Sequence, residues 1–246
     1  MTIYKATKYD SYLKPDLPDN NLKIVEIYST ACLTERNGGF ITLLAAGRGG
    51  LPGSINLSAD NFEIIKNSSR ENVKIDFSSA QKWGSLISKE QTFSGYSRLK
   101  DEIEDILESP EKFQEMFPEN SVKEYFDNTD INDISKLIGR GVGLTPAGDD
   151  FIVGALNAAC SFDSVLFKNL KSKLAGSLDR TTKLSRYYLA LAAAGRTGED
   201  MLDLLKSISE KKKTYNIRRY VQKITEYGAS SGYYMIKGLL WALKKI

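Results

Sequence analysis

The spacing of apolar residues changes from a strand-like to a helix-like pattern near Ser97, and this change most constrains the fold. Before it, short β-branched segments are separated by turns rich in Gly, Asn and Ser. The predicted strands are Lys23–Ser29, Phe40–Ala46, Ser54–Ser58 and Asn72–Ser78. Between the first two, the Asn-Gly and Gly-Gly steps of TERNGGF predict a hairpin, because these residues accept positive φ. We therefore expect an N-terminal antiparallel β-sheet or small barrel, in a β-rich domain over residues 1–93.

Beyond this point the pattern indicates helices. The segment Ser97–Ser109 places its apolar residues on one stripe with acids opposite, and the following Ser109-Pro110 step is typical of another helix start. Six more helices are predicted near Asp150–Cys160, Leu166–Leu178, Lys183–Ala194, Glu199–Ser209, Tyr215–Tyr227 and Ser231–Lys245. Gly195 and Gly228 fit positions just after helix ends. The chain is thus expected to be an α+β protein, with a mainly α-helical C-terminal domain over residues 94–246.

The chain of 246 residues contains no histidine. This excludes Ser-His-Asp and Cys-His nucleophilic systems and H-E-x-x-H zinc sites. Proton transfer would use a carboxylate, Lys, Tyr, Cys or water, and a metal would be a hard cation held by oxygens. The two cysteines, Cys32 and Cys160, lie far apart in apolar segments, which indicates buried thiols in a reducing compartment.

Charge and hydropathy bound the partners. The net charge of +3 is too small to indicate nucleic acid or an anionic membrane. The longest apolar run, Phe151–Cys160, is interrupted by Gly154 and Asn157 and has about half the length of a membrane span. The first residues contain no apolar run of signal-peptide length. We expect a cytoplasmic protein with no membrane or nucleic-acid partner.

A glycine-rich segment, GRGVGLTPAGDD, occupies Gly139–Asp150 and leads directly into the apolar run. It matches neither the P-loop, which needs a Lys after the last glycine, nor the dinucleotide fingerprint, which needs G-x-G-x-x-G after a strand. Its glycines still permit positive φ and leave backbone N–H groups uncovered, so the segment can form a concave nest for an anion. Arg140 adds a positive charge, Pro146 stiffens the turn and Gly148 allows a close backbone approach.

Two adjacent carboxylates, Asp149 and Asp150, stand where the buried helix begins. One interpretation is structural: aspartate is a favoured N-cap, and a second acid in the first turn suits the helix dipole. The other is functional, because two carboxylates at a buried helix end repel each other unless a cation, an Arg or a shared proton compensates. The pair would then bind Mg²⁺, orient an amide NH₂ group or act as a base.

Two further helix starts carry small hydroxyl residues. Thr181 and Thr182 precede one helix, and Ser230 and Ser231 precede another. Each is explained by helix capping alone. If the helices form a bundle, we expect these two starts and the aspartate pair to converge on a pocket for a small carboxylate, phosphate or carbamoyl group.

The segments GRGVGLTPAGDDFIVGAL, TTKLSRYYLALAAAG and GASSGYYMIKGLL, in this order, resemble the AllH-like family. The resemblance implies a subunit of oxamate carbamoyltransferase, which in anaerobic purine breakdown and allantoin degradation converts oxalurate and phosphate to oxamate and carbamoyl phosphate. It also implies an FdrA-like partner and another carbamoyltransferase subunit. Six residues match the family motif most closely: Gly141, Gly143, Thr145, Gly148, Asp149 and Asp150. The sequence departs from the family at Tyr234, where an aspartate is expected.

Asp149 and Asp150 are therefore the predicted catalytic residues. The predicted substrate-binding residues are Arg140, Gly141, Gly143, Thr145, Gly148, Thr181, Thr182, Ser230 and Ser231. Carbamoyl transfer passes through a charged tetrahedral species, which fixed N–H donors stabilise, and aspartates accept hydrogens from a carbamoyl NH₂. Two alternatives stay open. One is a non-catalytic subunit whose loop binds a partner or an effector anion, and the other is a Mg²⁺-dependent phosphate-handling enzyme.

Overall fold

The computed structural model describes residues 3–13, 21–36, 38–68, 72–89, 93, 95–107, 126, 128–210 and 214–246. The chain folds into two units. The first consists of Met1–Leu86 together with Thr197–Glu199, and the second consists of Ile87–Arg196 and Asp200–Ile246.

The first unit is a closed β-barrel of six strands with one extra strand. The strands are β1 (Ile3–Asp10), β2 (Asn21–Ile27), β3 (Ala31–Arg36), β4 (Gly39–Leu44), β5 (Ser54–Leu57), β6 (Asn72–Asp76) and β7 (Gln81–Trp83). In the order β5-β4-β3-β2-β6-β1 each strand pairs with the next, and the β5–β1 pairing closes the barrel. Strand β7 pairs in parallel with Lys8–Asp10, the C-terminal part of β1. The predicted small barrel is confirmed.

Strand pairing in the barrel is mixed. The β1–β5, β2–β3, β2–β6 and β3–β4 pairs are antiparallel, whereas β1–β6, β1–β7 and β4–β5 are parallel. The predicted hairpin turn joins β4 to β3 and not to the predicted strand Lys23–Ser29, and its Gly38 has φ 78°. A short helix, α1 (Ala59–Lys66), is capped by the Ser58 hydroxyl and places Phe62 and Ile65 in the barrel core. Neither this helix nor strands β1, β3 and β7 were predicted from the sequence.

Helices form most of the second unit. Those in the described residues are α2 (Tyr96–Leu107), α3 (Ala147–Phe162), α4 (Ser164–Leu174), α5 (Lys183–Ala193), α6 (Glu199–Ser209), α7 (Thr214–Thr225) and α8 (Ser231–Leu243). All six helices predicted after the glycine-rich segment are confirmed, with ends shifted by a few residues. The helix start predicted at Ser109-Pro110 lies outside the described residues. Gly195 and Gly228 follow helix ends with positive φ, as predicted.

Helices α3 and α8 pack with their backbones in contact. A Cβ atom placed on Gly154 would lie 1.8 Å from the Met235 carbonyl oxygen, and one on Gly238 would lie 1.8 Å from the Phe151 carbonyl oxygen. Helix α3 is buried along almost its whole length, as its uniformly apolar sequence indicates. The pair is therefore the centre of the second hydrophobic core.

Both cysteines are buried free thiols, as predicted. Burial raises the pKa of the Cys32 thiol to about 11.

Within the described ranges, every helix is too short or too polar to cross a membrane.

Candidate functional site

The glycine-rich segment adopts the conformation that its composition predicts. Gly139, Gly141 and Gly143 have φ values of 75°, 117° and 91°. Close packing adds a second requirement at the first two. A Cβ atom on Gly139 would lie 2.2 Å from the Arg180 carbonyl oxygen, and one on Gly141 would lie 2.6 Å from the Ala147 nitrogen. Glycine is therefore needed at these two positions for backbone geometry and for space.

The backbone N–H groups where α3 begins already donate hydrogen bonds to carbonyl groups of the protein. The Gly148 N–H donates to the Arg140 carbonyl at 2.8 Å. The N–H groups of Asp149 and Asp150 donate to the Pro146 carbonyl at 2.9 Å and 3.2 Å. The segment thus folds back on itself, and these three amides are not open donors for an anion in this structure. Gly148 is also packed against Leu137, whose carbonyl oxygen would lie 2.1 Å from an added Cβ atom.

Asp149 ties the segment to the start of α5. Its side chain is 1% exposed. Oδ1 accepts a hydrogen bond from the Gly139 N–H at 2.9 Å, and Oδ2 accepts from the hydroxyls of Thr181 and Ser185, the latter at 2.7 Å. The N-cap of α3 is Pro146, and it has no side-chain capping bond. Neither aspartate is therefore the predicted N-cap, because the helix begins at Ala147. Both acids lie within its first turn, which is where the structural interpretation placed the second one.

The other predicted helix starts lie in the same cluster. The Thr182 hydroxyl accepts the Ser185 N–H at 3.0 Å, which caps α5, and donates to the Leu144 carbonyl. The hydroxyls of Thr145 and Ser231 are 2.8 Å apart. Hydrogen bonds therefore join the starts of α3, α5 and α8, as the sequence predicts. Ser230 is the N-cap of α8 but makes no side-chain capping bond.

Asp150 lies beside Asp149 in very different surroundings. It is 7% exposed, and its Oδ2 atom has no hydrogen-bond partner. The pKa of its carboxyl group is raised to about 8, mainly because burial removes hydration from the charged form. Hydrogen bonding by the Ser231 and Thr145 hydroxyls lowers this pKa in part, and the charge of Asp149 adds to the increase. Near neutral pH this carboxyl group is therefore mostly protonated.

Arg140 is exposed, and its Nε donates to the Lys136 carbonyl at 2.9 Å, so its charge lies at the rim of the cluster. Ser185 was not predicted, although it stands three residues after the cap Thr182. A polar residue at that spacing often shares the capping interaction, and this spacing is the signal that could have identified it.

Among the residues that the structure describes, no three Asp, Glu or Cys side chains cluster around a possible metal position. In addition, both carboxylate oxygens of Asp149 accept hydrogen bonds from protein donors. A Mg²⁺ ion would have to compete with these donors.

Tyr234, the position at which the resemblance implies an aspartate, belongs to an aromatic cluster. Its ring centroid lies 5.1 Å from that of Phe126 and 5.2 Å from that of Tyr233. Burial raises the pKa of its hydroxyl. Tyr234 lies one turn after Ser231, so an aspartate here would be a third acid close to the start of α8, in an apolar setting.

The fold and site define a protein with a six-stranded barrel and a helical unit that holds a buried acid pair where helix starts meet. The family model described as oxamate carbamoyltransferase subunit AllH matches residues 137–243. The match includes all the predicted site residues and confirms the resemblance over that region, while the barrel lies outside it. No curated protein and no solved structure matches the chain.

Proposed function

We propose that this chain is a subunit of a carbamoyltransferase that acts on a small anionic ureide, converting oxalurate and phosphate to oxamate and carbamoyl phosphate. The proposal rests on one observation: hydrogen bonds join the starts of α3, α5 and α8 around Asp149 and Asp150. The family match over the same residues supports the reaction class. As a subunit, the chain would act with other chains, including an FdrA-like one.

The proposed reaction balances without a histidine. A phosphate oxygen attacks the carbamoyl carbon, the bond from that carbon to the oxamate nitrogen breaks, and the phosphate proton ends on the leaving nitrogen. Negative charge develops on the carbamoyl oxygen in between. The positive ends of the helix dipoles favour that charge, as does the one hydroxyl of the Thr145–Ser231 pair that does not donate to the other.

The two aspartates have separate roles in this proposal. Asp149 is a positioning residue, because its oxygens are occupied by the Gly139 N–H and by two hydroxyls of the α5 start. Asp150 has an oxygen with no hydrogen-bond partner, and the Thr145 and Ser231 hydroxyls act on its carboxyl group, so we assign the carbamoyl group to this acid.

Reconstitution tests the proposed reaction. The purified chain is assayed for carbamoyl phosphate formation from oxalurate and phosphate, alone and with the FdrA-like and other candidate subunits from the same genome. We expect turnover in a mixture that contains the chain and none in the same mixture without it. Equal turnover without the chain, or no turnover in any mixture, would contradict the proposal.

A non-catalytic partner subunit is the second candidate, and one observation favours it. The side chains of Val142 and Leu144, on either side of Gly143, are 86% and 40% exposed. Single exposed apolar side chains are common on protein surfaces, but neighbouring ones on one loop are the kind of surface that a partner chain covers. Two results together would favour this candidate over the first. Val142→Asp would prevent assembly with the co-expressed subunits, while the control Val165→Asp, at a position that is 65% exposed, would not. In addition, Asp150→Ala would leave turnover intact.

A further inference from the structure

Among the buried acids, Asp150 is distinguished by its hydrogen bonding. The structure describes four buried aspartates: Asp10, Asp149, Asp150 and Asp200. Asp10 accepts from the N–H groups of Tyr12 and Gly53, one on each oxygen. Asp200 accepts from Lys223 on one oxygen and from Tyr227 on the other. Asp149 also uses both oxygens, whereas the Oδ2 of Asp150 has no hydrogen-bond partner.

An ionised carboxylate in this position would be costly. Burial removes its hydration, and the unpartnered oxygen receives nothing in exchange. The adjacent Asp149, with three donors on its oxygens, is the better place for the negative charge of the pair. A neutral carboxylic acid avoids the repulsion and presents an O–H donor beside a carbonyl acceptor.

A primary carboxamide is the complement of a neutral carboxylic acid, because it offers a carbonyl acceptor beside an N–H donor. A carboxylate ligand offers acceptors only and would be repelled by Asp149. Thr145 and Ser231, both half-buried, face the Asp150 carboxyl group with their hydroxyls, so the side of Asp150 nearest the protein surface is lined by polar groups.

We propose that Asp150, held as a neutral acid, binds the terminal carboxamide of the ligand through two hydrogen bonds, donating to its carbonyl oxygen and accepting from its NH₂. The inference rests on the proposed function and deepens it, since it assigns the carbamoyl end of the ureide to Asp150. It also places a proton donor on the oxygen that becomes negative during transfer, as in other sites where a protonated aspartate stabilises an oxyanion.

The binding is expected to depend on pH. The groups acting on Asp150 are Asp149 from the same helix, Thr145 from the preceding loop and Ser231 from α8, and of these Asp149 is titratable. As the pH rises through about 8, Asp150 ionises, its donor is lost and the ligand affinity falls.

Two stable ligands provide the test: N-carbamoylglycine carries an NH₂ group on its carbonyl carbon, and N-acetylglycine carries a CH₃ group in the same place. The affinity of the full-length chain for each ligand is measured by titration calorimetry. Near pH 6.5 we expect N-carbamoylglycine to bind at least about tenfold more tightly, and we expect that preference to fall at least about tenfold by pH 9.5. Equal binding of the two ligands, no saturable binding of N-carbamoylglycine near pH 6.5, or an affinity that rises with pH would overturn the proposal.

Two variants complete the test. Asp150→Asn keeps an uncharged donor beside an acceptor, so it should retain the preference for N-carbamoylglycine and lose its pH dependence. Asp150→Ala should lose the preference. If Asp150→Asn loses the preference while its circular dichroism and melting temperature match the wild type, the neutral-acid assignment is wrong.

The failure of this inference and the failure of the proposed function are distinguishable. Selective carboxamide binding without carbamoyl phosphate formation in any subunit mixture would reject the reaction and keep the subsite. Turnover that depends on the chain, with no ligand preference, would reject the subsite and keep the reaction.

Discussion

Adjacent side chains on a helix point about 100° apart, so neighbouring residues can have unrelated surroundings. Asp149 faces the glycine-rich segment and the start of α5, where three donors reach it. Asp150 faces Thr145 and Ser231 and keeps an unpartnered oxygen. The sequence placed both acids at a buried helix start, but the difference between them depends on which residues surround each side chain.

The raised pKa of Asp150 predicts a pH-dependent stability. Burial raises that pKa from 3.8 to about 8, so between these values the folded chain holds one proton more than the unfolded chain. The free energy of unfolding contributed by Asp150 is therefore fully present below about pH 4 and is lost as the pH rises to 8. Asp150→Asn does not titrate, so we expect its stability relative to wild type to increase between about pH 5 and 8. Urea unfolding at several pH values measures this, and a difference independent of pH would contradict it.

Asp149→Ala is predicted to be destabilising. It removes the acceptor for the Gly139 N–H and for the hydroxyls of Thr181 and Ser185, all close to the protein interior. We expect the free energy of unfolding to fall by about 3–5 kcal/mol. Asp203→Ala, at an exposed position on α6, is the matched control and should change it by less than about 0.5 kcal/mol. An effect of Asp149→Ala as small as the control would mean that Asp149 does not anchor the cluster.

At the scale of elements, the site depends on the close contact of α3 and α8. In an open helix, Gly→Ala stabilises by about 1 kcal/mol. At Gly154 the added methyl group would lie 1.8 Å from the Met235 carbonyl oxygen, so we expect Gly154→Ala to destabilise by about 1–3 kcal/mol. Thermal unfolding provides the measurement. A rise in melting temperature would show that the two helices can separate without cost.

Local patterns predicted the helices better than the barrel. The six helices after the glycine-rich segment follow from apolar spacing, capping residues and stop glycines such as Gly195. Strand β1 was missed because its charged residues interrupt the apolar pattern, although Tyr4 and Ala6 are buried. The parallel β1–β6 and β4–β5 pairs join segments distant in sequence, and barrel closure, which no local pattern contains, decides them.

The candidate site was predicted in outline. The three polar helix starts were expected to converge, and hydrogen bonds such as Thr145–Ser231 now join them. The start of α3 was misplaced, because a helix that follows Pro146 begins before the aspartates. The open amide nest was also not found at Gly148, since an internal carbonyl takes that donor. Whether a backbone N–H group binds a carbonyl of the protein or a ligand depends on the folded backbone, which the sequence pattern does not show.

At the scale of the whole molecule, the family match and the candidate site coincide, because every site residue lies within residues 137–243. That range belongs to the helical unit apart from Thr197–Glu199. The barrel has its own core, formed by residues including Tyr4, Leu43 and Phe62. Under the proposed function, the chemistry therefore belongs to the helical unit, and the chain would act in an assembly with other chains.

The most direct test is the rate of carbamoyl phosphate formation from oxalurate and phosphate by the assembled subunits, with wild-type chain, Asp150→Ala or the control Asp203→Ala. Assembly is verified for each by size-exclusion chromatography with light scattering. Because Asp150 contacts the reacting group in this account, we predict a loss of at least about 100-fold for Asp150→Ala and none for Asp203→Ala. A wild-type rate from an intact assembly that contains Asp150→Ala would contradict the account.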